Sequence, residues 1–240
     1  MSHKTTCINS FTLKWIAIFT MAVDHIGAVL FPNIIQFRCV GRIAFPIFIF
    51  LLVEGFFHTK NIRKYILRML VFCFISEIPF DLAFYGTFFH WKHQNVFFTL
   101  TIGLIMLALI QNRKNWHQFG IVLLCMLGAY LLSTDYSAGG ILLIYMFYLF
   151  RNTDADSPDY IRKFLCKAAG LGAVSLFAFG AIECFSLFAM IPVFFYNRKR
   201  GPSLKSFFYI FYPAHLLVLY LISAVWLSDG LPVFFGGMLH

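Results

Sequence analysis

Apolar residues in this chain run in blocks, not at alternating positions, and most blocks are about as long as a bilayer is thick. The pattern predicts about nine helices, over 12–32, 40–58, 64–85, 95–111, 117–133, 137–151, 163–179, 182–197 and 206–228. Ala168 to Phe195 is one apolar run interrupted by Gly180, Glu183 and Cys184. A tight hairpin there is the expected reading, with one long span plus a re-entrant piece as the alternative. The fold class expected is all-α, a polytopic transmembrane helical bundle with its N-terminus inside and its C-terminus outside. Residues 1–240 are read as one domain, because no polar stretch is long enough to build a separate soluble core. The first ten residues are polar, and the run after them has no small-residue cleavage pattern, so it is expected to stay as the first helix.

Composition agrees with that pattern. Hydrophobic residues make up 60% of the chain, charged residues only 12%, and mean hydropathy is +0.79. A water-soluble chain of this length would not carry so little charge. The net charge of +9 is explained by topology. Cationic side chains collect on the cytoplasmic side of short loops, and with the N-terminus inside only Arg38, Arg42 and Lys92 among the 19 Lys and Arg fall outside. No soluble domain or aromatic platform surrounds the basic runs, so no nucleic-acid partner is expected. Membrane lipid is the implied surroundings; oligomeric state is left open.

The polar residues inside the apolar blocks carry the candidate chemistry, since ionisable groups at membrane depth are costly without a partner or a wet cavity. Asp24 and His25 lie side by side in the first block. Arg38 and Arg42 are i,i+4 at the start of the second, and Glu77 and Asp81 are i,i+4 in the third, around Pro79. Asn95 opens the fourth block, Asp135 and Tyr136 precede the sixth, and His215 sits about mid-way along the last. The topology places most of these groups toward the outer face. Asp24, His25, Arg38, Arg42, Glu77, Asp81 and Asp135 are therefore expected around one polar cavity there. Routine Arg–carboxylate pinning of helix ends is the structural alternative. The six cysteines show no metal-ligand spacing, and no metal is expected.

Six segments resemble the TraX family, whose best-known member is a conjugative pilin N-acetylase. They are LKWIAIFTMAVDHIG at 13–27, RCVGRIAFPIFIFLLVEGFFHT at 38–59, YILRMLVFCFISEIPFD at 65–81, NVFFTL at 95–100, DYSAGGILLI at 135–144 and FYPAHLLVLY at 211–220. More distantly, the chain is similar to membrane acyltransferases of the type 3 and heparan N-acetyltransferase kinds. The resemblance implies transfer of acetyl from cytoplasmic acetyl-CoA to an amine outside, on pilin or another exported acceptor.

For such a transfer His25 fits the general base or a transient acyl acceptor, with Asp24 or Glu77 orienting its ring. Arg38 and Arg42 would steady the oxyanion or hold the carboxylates. Asp81, Asn95, Asp135, Tyr136 and His215 are the expected substrate contacts. Lys60, Arg63, Lys64, Arg198, Lys199 and Arg200 would meet the phosphates of acetyl-CoA inside. Two other classes fit the same residues less fully. A proton-coupled transporter would also bury Asp, Glu and His, yet the chain shows no internal repeat. A scaffold for pilus or conjugation assembly would need none of the polar cluster.

Overall fold

A computed structural model of the chain describes residues 8–154, 163–164, 167 and 181–228. All regular structure among them is helical, and two isolated bridges, Ile8 with Tyr196 and Gln94 with Thr134, tie loop ends together. The elements are α1 (Ser10–Leu30), α2 (Ile35–Gly41), α3 (Ala44–His58), α4 (Ile62–Tyr85), α5 (Val96–Ile110), α6 (Asn115–Leu131) and α7 (Ser137–Asp154). A 3₁₀ segment (Ala181–Ala189), α8 (Met190–Phe194) and α9 (Lys205–Ser228) complete them. Three stretches are long and apolar enough to cross a membrane: Ser10–Leu30, Ile35–His58 and Ser206–Trp226. Val96–Ile110, Ser137–Arg151 and Ile182–Phe194 are apolar but shorter.

Local chemistry sets the boundaries. Asn9 caps α1, its side chain accepting from the Thr12 amide at 2.9 Å, and Asn61 caps α4 through the Lys64 amide at 2.9 Å. Gly86 ends α4 at φ 65°, a left-handed turn that glycine adopts without a Cβ penalty. The second apolar block divides into α2 and α3 because Pro46 has no amide for the Arg42 carbonyl and its ring crowds it. The chain bridges the break with tighter bonds, among them Ile43 N–H to the Val40 carbonyl at 3.3 Å. Arg42 therefore leaves the axis where two helices meet.

The helices pack so that α1 touches α2, α3 and α9, α4 lies between α5 and α9, and α5 and α3 both meet α7. Leu13, Ala17, Ile47, Ile49, Leu104, Met106, Leu107, Ile141 and Ile144 are sealed within. Outward positions are apolar as well, with Phe19, Phe74, Leu124 and Leu131 each more than 60% exposed. Such a surface suits hydrocarbon, where burial is no longer what separates inside from outside.

The two ends of the bundle differ in charge. One gathers Lys60, Arg63, Lys64, Arg198, Lys199 and Arg200 and is called the basic end here. The other gathers Asp24, Glu77, Asp81, Asp135 and Glu183 and is called the acidic end. Six of the nine expected blocks each coincide with one helix to within a few residues, whereas 40–58 begins earlier and breaks into α2 and α3, and 182–197 is a 3₁₀ segment followed by the short α8. Most of the remaining block, 163–179, lies outside the described residues, so the expected hairpin with 182–197 does too.

Candidate functional site

At the acidic end, the break between α2 and α3 aims both of its arginines at α1. Arg38 donates to Asp24 Oδ2 at 2.7 Å and Arg42 to Oδ1 at 3.3 Å, so one carboxylate is bracketed by two guanidinium groups. Arg42 also donates to Glu183 of the 3₁₀ segment at 2.9 Å and faces the Tyr136 hydroxyl at 3.4 Å. Gly41 permits this approach, because a Cβ there would overlap the Asp24 carboxylate. Asp24 and the arginines are largely buried, and pairing offsets part of their desolvation cost.

A second polar set joins α4 to the start of α5. Asn95, fully buried, donates to Glu77 Oε2 at 2.5 Å and to the Cys73 carbonyl at 2.9 Å, while its own oxygen caps α5 through the Phe97 amide. Asp81, one turn beyond Glu77, accepts the His90 amide at 2.7 Å. Asp135 lies 3.8 Å from His93. Its backbone turn holds Ser133, Tyr136 and Ser137 at positive φ. Such strain persists only where neighbours over-determine it. Here the Gln94 backbone and the Thr99 hydroxyl, which donates to the Asp135 carbonyl, hold the turn. Phe45 stacks on Tyr136 at 3.6 Å, and burial pushes the Tyr136 phenol above its ordinary pKa, so toward Arg42 it presents a neutral hydroxyl.

His25 stands apart from both sets. Its Nδ1 lies 2.7 Å from His215 Nε2, and the rings are coplanar within 5° at a centroid separation of 5.0 Å. That separation is the N···N distance plus the two ring radii, so the rings meet edge to edge through a hydrogen bond. Phe84 and Tyr212 flank His25 with their rings edge-on. The expectation that Asp24 or Glu77 orients this imidazole is corrected: among the described residues the ring's hydrogen-bond partner is His215. The side chain of Asp24, next along α1, leaves the helix about 100° away and meets the arginines instead.

A cavity of about 330 Å³ opens from the basic end. Lys14, His58, Arg68, Arg198 and Arg200 stand around it, with Glu54 also in the wall. Glu54 is tied to Arg151 at 2.5 Å. Ile18, Met21, Leu52, Phe97 and Leu100 form apolar parts of the cavity wall, and Tyr212 also lines it. Met21 is one helical turn before His25 on α1, and Tyr212 touches the His25 ring, so the apolar walls approach the histidine pair. Arg68 sits over the rings of Tyr65 and Tyr209, at 5.5 and 5.2 Å from their centroids, and its Nε has no hydrogen-bond partner among the described residues.

A family described as "TraX protein" matches residues 10–223. The chain belongs to the TraX family. Over 240 residues it is 28% identical to a protein of Dichelobacter nodosus named "Probable fimbrial assembly protein FimC, serogroup H1", covering 88% of this chain and 94% of that one. Protein TraX of Escherichia coli is 25% identical over 213 residues, covering 86% of this chain and 84% of its own. An uncharacterized protein of Rickettsia prowazekii, RP591, is 39% identical over 51 residues, which is 21% of each chain. No solved structure matches.

In this TraX-family chain, the groups expected around one outer cavity are at the same end but fall into separate hydrogen-bonded sets. Arg38 and Arg42 hold Asp24 and, through Arg42, Glu183. Glu77 and Asp81 belong to the Asn95 and His90 contacts. Of the expected donor contacts, Arg198 and Arg200 line the basic-end cavity, whereas Lys60, Arg63, Lys64 and Lys199 are exposed outside its wall. Sequence reasoning counted Glu183 among the outer carboxylates and Lys14 and Arg68 among the inner cations, but gave none of them a role in the site. A lone Glu inside an apolar run was the available signal for Glu183. Arg68, four residues after Lys64, extends the basic face of α4 one turn into the apolar region.

Proposed function

We propose that this protein is an integral-membrane acyltransferase that moves an acetyl group from cytoplasmic acetyl-CoA to an amine on an exported acceptor. In this reading about nine spans cross the bilayer, with the N-terminus inside and the C-terminus outside, so the basic end faces the cytoplasm. The observation that carries it is the cavity running from a cationic mouth toward the His25–His215 pair. Arg68, Arg198, Arg200 and Lys14 suit the phosphates of a CoA thioester. The apolar walls suit its thin arm, whose acyl end would come to rest near His25.

His25 supplies the base, or an acceptor that briefly carries the acetyl group. With Arg38 and Arg42 engaged by Asp24 and Glu183, their contribution is to hold the acidic end in shape. The acidic residues around Asp135 and Asp81 favour the approach of a cationic amine. The fimbrial assembly name of the Dichelobacter relative supports a pilin-like acceptor. It also supports an assembly scaffold, which would need no acyl donor.

Mass spectrometry of exported proteins, with and without an intact gene, tests the reading. An acetylated amine that disappears with the gene, and returns with wild-type protein but not with His25→Ala, is the expected result. Unchanged acetylation together with lost pilus assembly would favour the scaffold.

A further inference from the structure

The hydrogen-bond chain through the histidine pair fixes where its protons sit. His215 Nδ1 is 2.8 Å from the Phe211 carbonyl on the preceding turn of α9. A carbonyl only accepts, so Nδ1 carries the proton. No carboxylate pairs with either ring among the described residues, which favours neutral imidazoles in this apolar setting. A neutral His215 with its proton on Nδ1 has a lone pair on Nε2. That nitrogen must then accept from His25, so His25 Nδ1 carries a proton and its lone pair is on Nε2. Nε2 of His25 has no hydrogen-bond partner among the described residues.

We propose that His215 is a positioning residue that locks His25 in the tautomer whose reactive nitrogen is Nε2. The chain Phe211 C=O, His215, His25 does with a neutral ring what a buried carboxylate does for the base of a hydrolytic triad, holding one tautomer and one ring angle. The catalytic part of this inference rests on His25 acting as the base. As the acceptor amine attacks the thioester carbonyl, the N–C bond forms and the amine proton goes to His25 Nε2. The C–S bond then breaks, and the thiolate takes that proton, so an amide and a free thiol leave and His25 is neutral again. While His25 is charged, its Nδ1–H bond to His215 becomes charge-assisted, and His215 steadies the imidazolium without moving its own proton. The Phe211 carbonyl prevents His215 from turning over and offering a second N–H, which would clash with that of His25.

Two substitutions separate positioning from packing. His215→Phe keeps the ring volume and removes both bonds. His215→Gln keeps an acceptor toward His25 and a donor toward Phe211. In wild-type protein labelled with ¹⁵N-histidine in lipid, the His25 signal, assigned by its loss in His25→Gln, should show a protonated Nδ1 and a bare Nε2. In His215→Phe that preference should be lost. The turnover of folded His215→Phe should fall about 10²-fold with KM for acetyl-CoA within about twofold, and His215→Gln should recover at least about tenfold of it. Protonated Nε2 in the wild type, or full turnover by folded His215→Phe, would overturn the inference. If the wild type moves no acetyl group, the acyltransferase reading fails on that count, and the nitrogen signals alone decide whether His215 sets the tautomer.

Discussion

Arg42 is the residue on which the acidic end turns. It leaves the helix at the break that Pro46 enforces, and one guanidinium meets Asp24, Glu183 and Tyr136 from three other parts of the chain. Removing it would leave two buried carboxylates short of a partner, so Arg42→Leu is expected to cost about 3–5 kcal/mol. Thermal unfolding in detergent reads this, and a loss under about 1 kcal/mol would show the network to be incidental. Gly41→Val is expected to be damaging for a different reason, since its side chain would displace the Asp24 carboxylate from both arginines. None of these pairings is written in the local sequence. Arg38 and Arg42 announce a shared face by their i,i+4 spacing, but their partner lies in another helix. The His25–His215 bond joins residues 190 apart. Periodicity supplies depth along each helix, and only packing chooses which face meets which.

Elements were far more legible than contacts. An apolar block of about 20 residues has one stable form in hydrocarbon, a helix whose backbone bonds are all internal. Hydropathy therefore locates α1, α4, α5, α6, α7 and α9 closely. It treats 40–58 as uniform, however, and misses that the second block begins earlier and breaks at residues 42–43. Pro46 was the visible cause. The start of α5 depends on Asn95, which caps the helix, binds Glu77 and reaches the Cys73 carbonyl of α4. Asn95→Ala should therefore cost about 2 kcal/mol, as a lost cap combines with the loss of the side-chain bond to Glu77, which keeps only the backbone amide of residue 95. Denaturant titration of folded protein in micelles checks this, and a neutral result would mean that water replaces the amide. At the other end of α4, Arg68→Ala should weaken CoA binding about tenfold if the cavity takes the donor's phosphates. Equal affinity by calorimetry would remove Arg68 from that role.

At the scale of the whole molecule, charge asymmetry and the His25 pair belong to one argument. The basic end opens into the cavity, the acidic end gathers the carboxylates that the proposed reading turns toward the acceptor, and His25 stands beside Asp24 on α1, one helical turn from the cavity wall at Met21. In the proposed reading the excess of Lys and Arg sets the basic end inside. A single cysteine placed at position 60 should resist an impermeant thiol reagent added outside intact cells, whereas one at 135 should react. Labelling at 60 from outside would reverse the orientation and with it the proposed route of the donor.

The central claim, that His25 performs acetyl transfer, is tested most directly by turnover of purified His25→Ala. The protein is reconstituted in lipid with labelled acetyl-CoA and an acceptor amine, and acetyl transfer is counted per folded molecule. The account predicts a folded variant that still binds acetyl-CoA, with transfer reduced about 10²–10⁴-fold. Near-normal turnover by folded His25→Ala would contradict it, even if the protein proves to be an acetyltransferase.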